Sequence, residues 1–247
     1  MSIDVAFTRA EVRPAETAVV IDVLRASTTI THALSCGYRR VLVVDDVDAA
    51  AALSAPGRVL AGERSCERPP GFDLGNSPQG TDPPLGEELV LATTNGAPAI
   101  VAAAHEADDV LVGCLLNLEA VCAAIGERDV LLLCAGTDGR AGIDDVYVAG
   151  RISASLAGPR SDAALIAERV AGAHPEALPA IGAGTAASNL REVGLQEDIA
   201  FCAQESITSL VPRLTASSAG IAILRAESPC IEDELWVSRN TVLDTIR

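Results

Sequence analysis

The chain contains no lysine; all 18 of its basic residues are arginine. That absence rules out Schiff-base chemistry, a lysine general base and the Gly-Lys-Ser/Thr loop of Walker-type nucleotide enzymes. Aromatic residues are scarce too, at 2% against 49% hydrophobic overall, so the core must be packed from Ala, Val, Leu and Ile. Basic charge is outweighed by 34 acidic groups, giving a net charge of −16 with no arginine cluster, which argues against nucleic acid as a partner. Seven cysteines, at 36, 66, 114, 122, 134, 202 and 230, form no Cys-x-x-Cys pair. Reduced thiols and a cytoplasmic location are therefore expected. Histidine occurs only at 32, 105 and 174, in helical patterns, which argues against a Ser-His-Asp triad or a histidine zinc centre. Met1 to Phe7 has no signal-peptide character, and no window is long and apolar enough to span a bilayer.

What the chain does have is rhythm. Short aliphatic runs recur at 19–21, 41–44, 59–60, 89–91, 110–112 and 130–133, separated by segments of helical spacing at 29–36, 47–53, 97–105 and 118–125. The alternation predicts an α/β fold with parallel crossovers. The order over 19–60 repeats over 89–133, so a single domain over 1–247 is expected, built from two similar halves of about 1–87 and 88–247. Beyond Asp144 the pattern is mostly helical to about Gly194, and Ile221 to Leu224 reads as a late strand. The stretch from Gly62 to Glu87, rich in Gly, Pro, Asp and Ser, breaks the rhythm. It is either an ordinary surface linker or a functional loop, since loops this long are uncommon in compact domains.

Three strands run into loops of small polar residues and then into helices: Asp22 to Thr29, Thr93 to Pro98, and Cys134 to Gly139 followed by Asp144-Asp145. In open α/β sheets such loops meet at one edge, where helix N-termini offer N–H groups to anions. Backbone from Thr94 to Gly96 and from Gly136 to Gly139 is thereby placed to cradle a phosphate. The simpler alternative is that these residues only cap and turn, with Ser27 or Thr28 as the N-cap of the first helix. Asp22 closes a buried strand, where a carboxylate is costly unless it meets a metal or a cation; Arg25 is its structural alternative. The Asp-x-Asp motif of haloacid dehalogenase-type phosphatases is absent, because Leu24 occupies its second position. Cys134 and Arg140 match the Cys-x5-Arg spacing of cysteine phosphatases, though no Ser or Thr follows Arg140. A metal-independent cysteine phosphatase and a non-catalytic binder of a small anionic metabolite thus stay open as alternatives. The long insertion places Glu63, Arg64 and Asp73 within 11 positions, with Asn76 and Ser77 close behind, between glycines that let a backbone approach a ligand. A phosphate ester calls for that mixture of arginine fork and carboxylates.

At these residues the chain resembles the 2-phosphosulfolactate phosphatase family, the ComB proteins of coenzyme M biosynthesis. The resemblance rests on Asp22 to Ile30, Ala61 to Arg64, Gly71 to Pro78, Thr93 to Gly96, Cys134 to Thr137 with Asp145, and Asp198 to Cys202 followed by Val211-Pro212. It implies a three-layer α/β/α fold with a largely parallel or mixed sheet, of two similar intertwined halves. The implied reaction is Mg²⁺-dependent hydrolysis of (R)-2-phospho-3-sulfolactate to 3-sulfolactate and phosphate. Its motif positions are Asp22, Arg25, Glu63, Arg64, Asp73, Asn76, Thr94, Asn95 and Asp145. The expected site follows: Asp22, Glu63 and Asp73 catalytic; Asp22, Glu63, Asp73 and Asp145 around the metal. Arg25, Ser27, Thr28, Arg64, Asn76, Ser77, Thr94, Asn95, Gly96, Gly136 and Thr137 are expected on the substrate. Ser65 to Pro70 departs from the family pattern and bears on substrate choice. The expected partner is a small phosphate ester, with no membrane or nucleic acid and with a homo-oligomer left open.

Overall fold

The computed structural model describes residues 1–227; Cys230 and the last part of the expected 1–247 domain lie outside the described residues. In chain order the elements are β1 (Ile3–Ala6), β2 (Ala15–Ile21), α1 (Ala26–Ser35), β3 (Arg40–Val44), α2 (Val47–Ala52), β4 (Arg58–Gly62), β5 (Glu88–Ala92), α3 (Gly96–Glu106), β6 (Ala107–Gly113), α4 (Leu118–Ile125), β7 (Val130–Cys134), α5 (Ile143–Ser155), α6 (Asp162–Ala173), α7 (Ala177–Ile181), α8 (Thr185–Glu192), α9 (Gln196–Cys202), β8 (Val211–Ser218) and β9 (Ile221–Glu227). The six predicted strands and four predicted helices of the first half are all present. The insertion after β4 stays irregular apart from a 3₁₀ turn at Pro78–Thr81.

One nine-stranded sheet runs in the order β1-β7-β2-β6-β8-β9-β3-β5-β4. Successive residues along a strand serve different cores, because both faces are covered. Val19, Ile21, Leu111 and Leu132 face the helices α4 to α9, with the fully buried Tyr147 and Ile152 of α5. Ala18, Val20, Val110, Leu131 and Leu133 face α1 and α3, through Ile30, Ala33 and Ile100. Leu42, Val44, Leu60 and Val90 form a smaller core with Ala50 of α2 and Phe72. The result is the expected three-layer α/β/α arrangement.

The strand order is a palindrome. Exchanging β2, β3 and β4 for β5, β6 and β7, and β8 for β9, turns β7-β2-β6-β8-β9-β3-β5-β4 into its own reverse. Pairing directions agree: strands are parallel within β7-β2-β6 and within β3-β5-β4, and antiparallel through the central β8 and β9. Each parallel block therefore takes its middle strand from the other end of the repeat. β2 lies between β6 and β7, and β5 lies between β3 and β4.

Candidate active site

The ends of the two middle strands share one capping device. After β2, Asp22 Oδ1 accepts the Ala26 N–H at 3.1 Å; after β5, Thr93 Oγ1 accepts the Ala97 N–H at 2.9 Å. Each side chain thus caps a donor four residues ahead that the helix leaves unpaired. Ser27 and Thr28, expected as caps or substrate ligands, do not cap α1 and turn their hydroxyls to nearby backbone. Ser27 Oγ accepts from the Asp22 N–H at 2.7 Å, Thr28 Oγ1 donates to the Val23 carbonyl at 2.9 Å, and both residues are buried. Gly96 begins α3 against Asp22: a Cβ there would stand 2.4 Å from Asp22 Oδ2 and 2.5 Å from Ala26 Cβ.

A second pair of equivalents organises the loops. Glu63 follows β4; its carboxylate accepts the Thr94 N–H at 2.7 Å and the Cys66 N–H at 3.0 Å. Asp145 accepts the Val23 N–H at 2.9 Å and the Gly136 N–H at 2.9 Å. Two tight hairpin turns flank the site, one closed between Arg64 and Glu67 and the other between Thr137 and Arg140. Asp138 and Gly139, with φ of 52° and 74°, suit the left-handed turn of the second. The first places Ser65 and Cys66 at φ of 52° and 67°, a conformation that costs a side-chain-bearing residue roughly 1–2 kcal/mol. Consequently the expected backbone cradle is partly engaged: Thr94, Gly136 and Thr137 already donate to Glu63, Asp145 and the Arg140 carbonyl.

Between these loops lies a cavity of about 270 Å³ whose wall includes Asp22, Arg25, Glu63, Arg64, Asn76, Thr94, Asn95 and Thr137. The structure thus brings together eight of the residues expected from sequence. It adds Cys66, Asp138 and, from α8, Asn189. Arg25 does not pair with Asp22. Its guanidinium is 2.6 Å from Asp198 of α9 and donates to the Cys66 carbonyl at 3.2 Å. Arg64 donates to the carbonyls of Glu63 and Asp45, and no carboxylate pairs with it among the described residues. Asn76 is buried, and its Oδ1 has no hydrogen-bond partner among the described residues.

Other expectations fall elsewhere. Asp73 is exposed and off the cavity wall, with Oδ2 accepting the Leu60 N–H at 2.8 Å; it fastens the insertion to β4. Ser77 Oγ donates to Asp198 rather than facing the cavity. Cys134 is fully buried, and its thiol is pushed well above its usual range by burial and then by Asp145, Asp144 and Glu11. A cysteine phosphatase needs an accessible thiolate, which that environment opposes. Arg140 is exposed on its turn.

Asp144 and Asp145, in the first turn of α5, are off the cavity wall but close enough to Asp22 for charge to act between them. Burial first, then Asp144 and Glu63, push the Asp22 carboxyl up to about 7 against the Ala26 N–H bond and the Arg25 charge. Burial raises Asp144 to about 6. Asp145 is held well above the carboxylate range by burial, then by Asp144 and Asp22. Asp144 is 3% exposed and its Oδ1 has no partner among the described residues. Among the described residues, no three His, Cys, Asp or Glu side chains converge closely enough to hold a metal ion by themselves. Magnesium does not require that, because it usually binds through one or two carboxylates and completes its shell with water and substrate phosphate. Asp144 raises Asp22 by its charge, and each keeps one oxygen without a hydrogen bond among the described residues, which fits such a cation. The residues suited to it are Asp22 and Asp144, since the oxygens of Glu63 and Asp145 are engaged by backbone.

These features define an α/β protein with an arginine- and carboxylate-lined cavity at the ends of its parallel strands. Residues 6–217 match the family model described as 2-phosphosulpholactate phosphatase, so the chain belongs to that family and its enzyme class is phosphoric monoester hydrolase. It is 38% identical over 205 residues to the probable 2-phosphosulfolactate phosphatase of Thermus thermophilus, covering 79% of this chain and 86% of that one. The protein of the same description from Deinococcus radiodurans is 39% identical over 213 residues, 81% and 88% of the two chains. The 2-phosphosulfolactate phosphatase of Methanothermobacter thermautotrophicus is 36% identical over 196 residues, 78% and 84% of the two. No helix among the described residues is long and apolar enough to cross a membrane.

Proposed function

We propose that this chain hydrolyses a small, multiply anionic phosphate ester, with 2-phospho-3-sulfolactate as substrate, 3-sulfolactate and phosphate as products, and Mg²⁺ as cofactor. The observation that carries the reading is a cavity that sets two guanidiniums, Arg25 and Arg64, beside the buried Asp22, in a chain of this family. Arg25 and Arg64 bind the phosphate and the remaining anionic groups of the substrate through charge-assisted hydrogen bonds. Glu63, held in orientation by the Thr94 and Cys66 N–H groups, takes the proton of the attacking water. Asp22 and Asp144 would hold Mg²⁺, which when bound supplies positive charge to the phosphoryl oxygens. Asn76 Oδ1, an open acceptor, takes a hydrogen bond from water in the cavity, since the ionised substrate offers no donor.

The reading is tested by phosphate release from 2-phosphosulfolactate and from a panel of phosphate esters, before and after chelation. The expected result is turnover that chelation abolishes and Mg²⁺ restores. Binding without turnover of any ester would establish the non-catalytic alternative, and turnover unchanged by chelation would remove Mg²⁺ from the reading. Cys134→Ser is expected to retain activity.

A further inference from the structure

Asp198 lies in the first turn of α9 and is not part of the cavity wall, yet two components of the site converge on it. Its Oδ2 is 2.6 Å from Arg25 Nη1, with the two side chains 3% and 2% exposed. Its Oδ1 accepts from Ser77 Oγ at 2.6 Å. Ser77 follows Asn76, whose carbonyl accepts from Thr29 Oγ1 of α1 at 2.8 Å. Two segments far apart in sequence, at Arg25 and at Ser77, are thereby tied to one carboxylate. A buried ion pair contributes little net stability by itself, because desolvating both charges offsets most of their attraction. What this pair does achieve is to give a long, flexible arginine a single direction on the cavity wall, with the Cys66 carbonyl as its second support.

We propose that Asp198 is a positioning residue: its carboxylate aims the Arg25 guanidinium at the substrate and, through Ser77, fixes the segment that presents Asn76. The inference rests on the phosphatase reading and names a residue that acts through two others without touching substrate. Its consequence is a division of labour along one carboxylate. Oδ2 governs the arginine and Oδ1 governs the asparagine, so the two functions are separable by substitution.

The experiment is a double-mutant cycle on the full chain with 2-phosphosulfolactate and Mg²⁺, measuring kcat and KM for Asp198→Asn, Arg25→Gln and the double variant, together with Ser77→Ala. Asp198→Asn is expected to lower kcat/KM by about 100-fold, the penalty of a misplaced catalytic contact. In the Arg25→Gln background the same change is expected to cost less than about 3-fold, because the arginine it directs is gone. Ser77→Ala, which leaves the ion pair intact, is expected to change KM more than kcat. Should Asp198→Asn fail to fold with Arg25 charged, the neutral double variant still decides the matter, since it must match Arg25→Gln within about 3-fold. Equal losses in both backgrounds, or an Asp198→Asn protein as active as the wild type, would overturn the proposal. A wild-type chain that releases no phosphate overturns the phosphatase reading instead, so the two failures are told apart.

Discussion

Gly96 has no room for a side chain, and the atom in the way is a carboxylate oxygen of Asp22. Gly96→Ala is expected to displace Asp22 and lower kcat/KM by about 100-fold, while circular dichroism shows the fold retained. A second residue-scale outcome concerns Asp144. Its folded-state pKa is raised to about 6, so the folded chain favours its protonated form; that stability is present at acid pH and is lost as pH rises through about 6. Asp144→Asn is therefore expected to raise the melting temperature of metal-free protein at pH 8 by roughly 3–6 °C, the effect of about 1–2 kcal/mol on a chain of this size. At pH 4 the gain should vanish. A gain equal at both pH values would show that charge is not its cause. Of these residues the sequence made Asp22, Glu63, Arg25 and Arg64 legible, because each stands at a strand end or between glycines. Asp144 was visible only as half of an acidic pair, and Asp198 reaches Arg25 across 173 positions, a distance no local pattern spans.

Among the elements, the edge of β3, β5 and β4 opposite the site is tied by a cross-strand triad. Arg40 and Arg58 stand in register on either side of Glu88, at 2.7 and 3.0 Å. Burial alone would raise the Glu88 carboxyl; hydrogen bonds from Arg40 and Arg58, then from Arg39, outweigh it and hold the group below its ordinary value. A lowered carboxyl stabilises the fold above its unfolded-state pKa, and the contribution is lost as pH falls through the folded value. Glu88→Gln is expected to cost about 3 kcal/mol at pH 7, read by denaturant unfolding, with the gap to wild type closing below about pH 4. A gap independent of pH would assign the loss to packing. The strands themselves were easy to read where both faces are buried, as in Leu89-Val-Leu91. β1 and β8 were not, for physical reasons: β1 is four residues long with a half-buried Asp4, and β8 carries a proline and a run of polar residues through Ser218.

For the whole molecule, the interleaved sheet means that neither half of the sequence repeat holds its own middle strand. Fragments 1–87 and 88–247 are each expected to lack a cooperative unfolding transition when made separately, and to recover one only when expressed together. A fragment that melts cooperatively alone would show that its block of strands closes without the exchange. Only the family resemblance pointed to this exchange: the repeat of strand and helix by itself reads the same whether each half folds on itself or trades a strand, because sequence order does not encode pairing between strands about 90 residues apart, as β2 and β6 are.

The palindrome of strands has a consequence for the orientation of a ligand. A site on a perfect twofold would accept one ligand equally well in two orientations, related by turning the ligand over, and could not fix which end of it meets which loop. Here the symmetry is broken where the two middle strands end: Asp22 faces Thr93 as the capping side chain, and one loop carries Arg25 where the other carries Gly96. A single binding orientation for an unsymmetrical ester must come from those inequivalent positions.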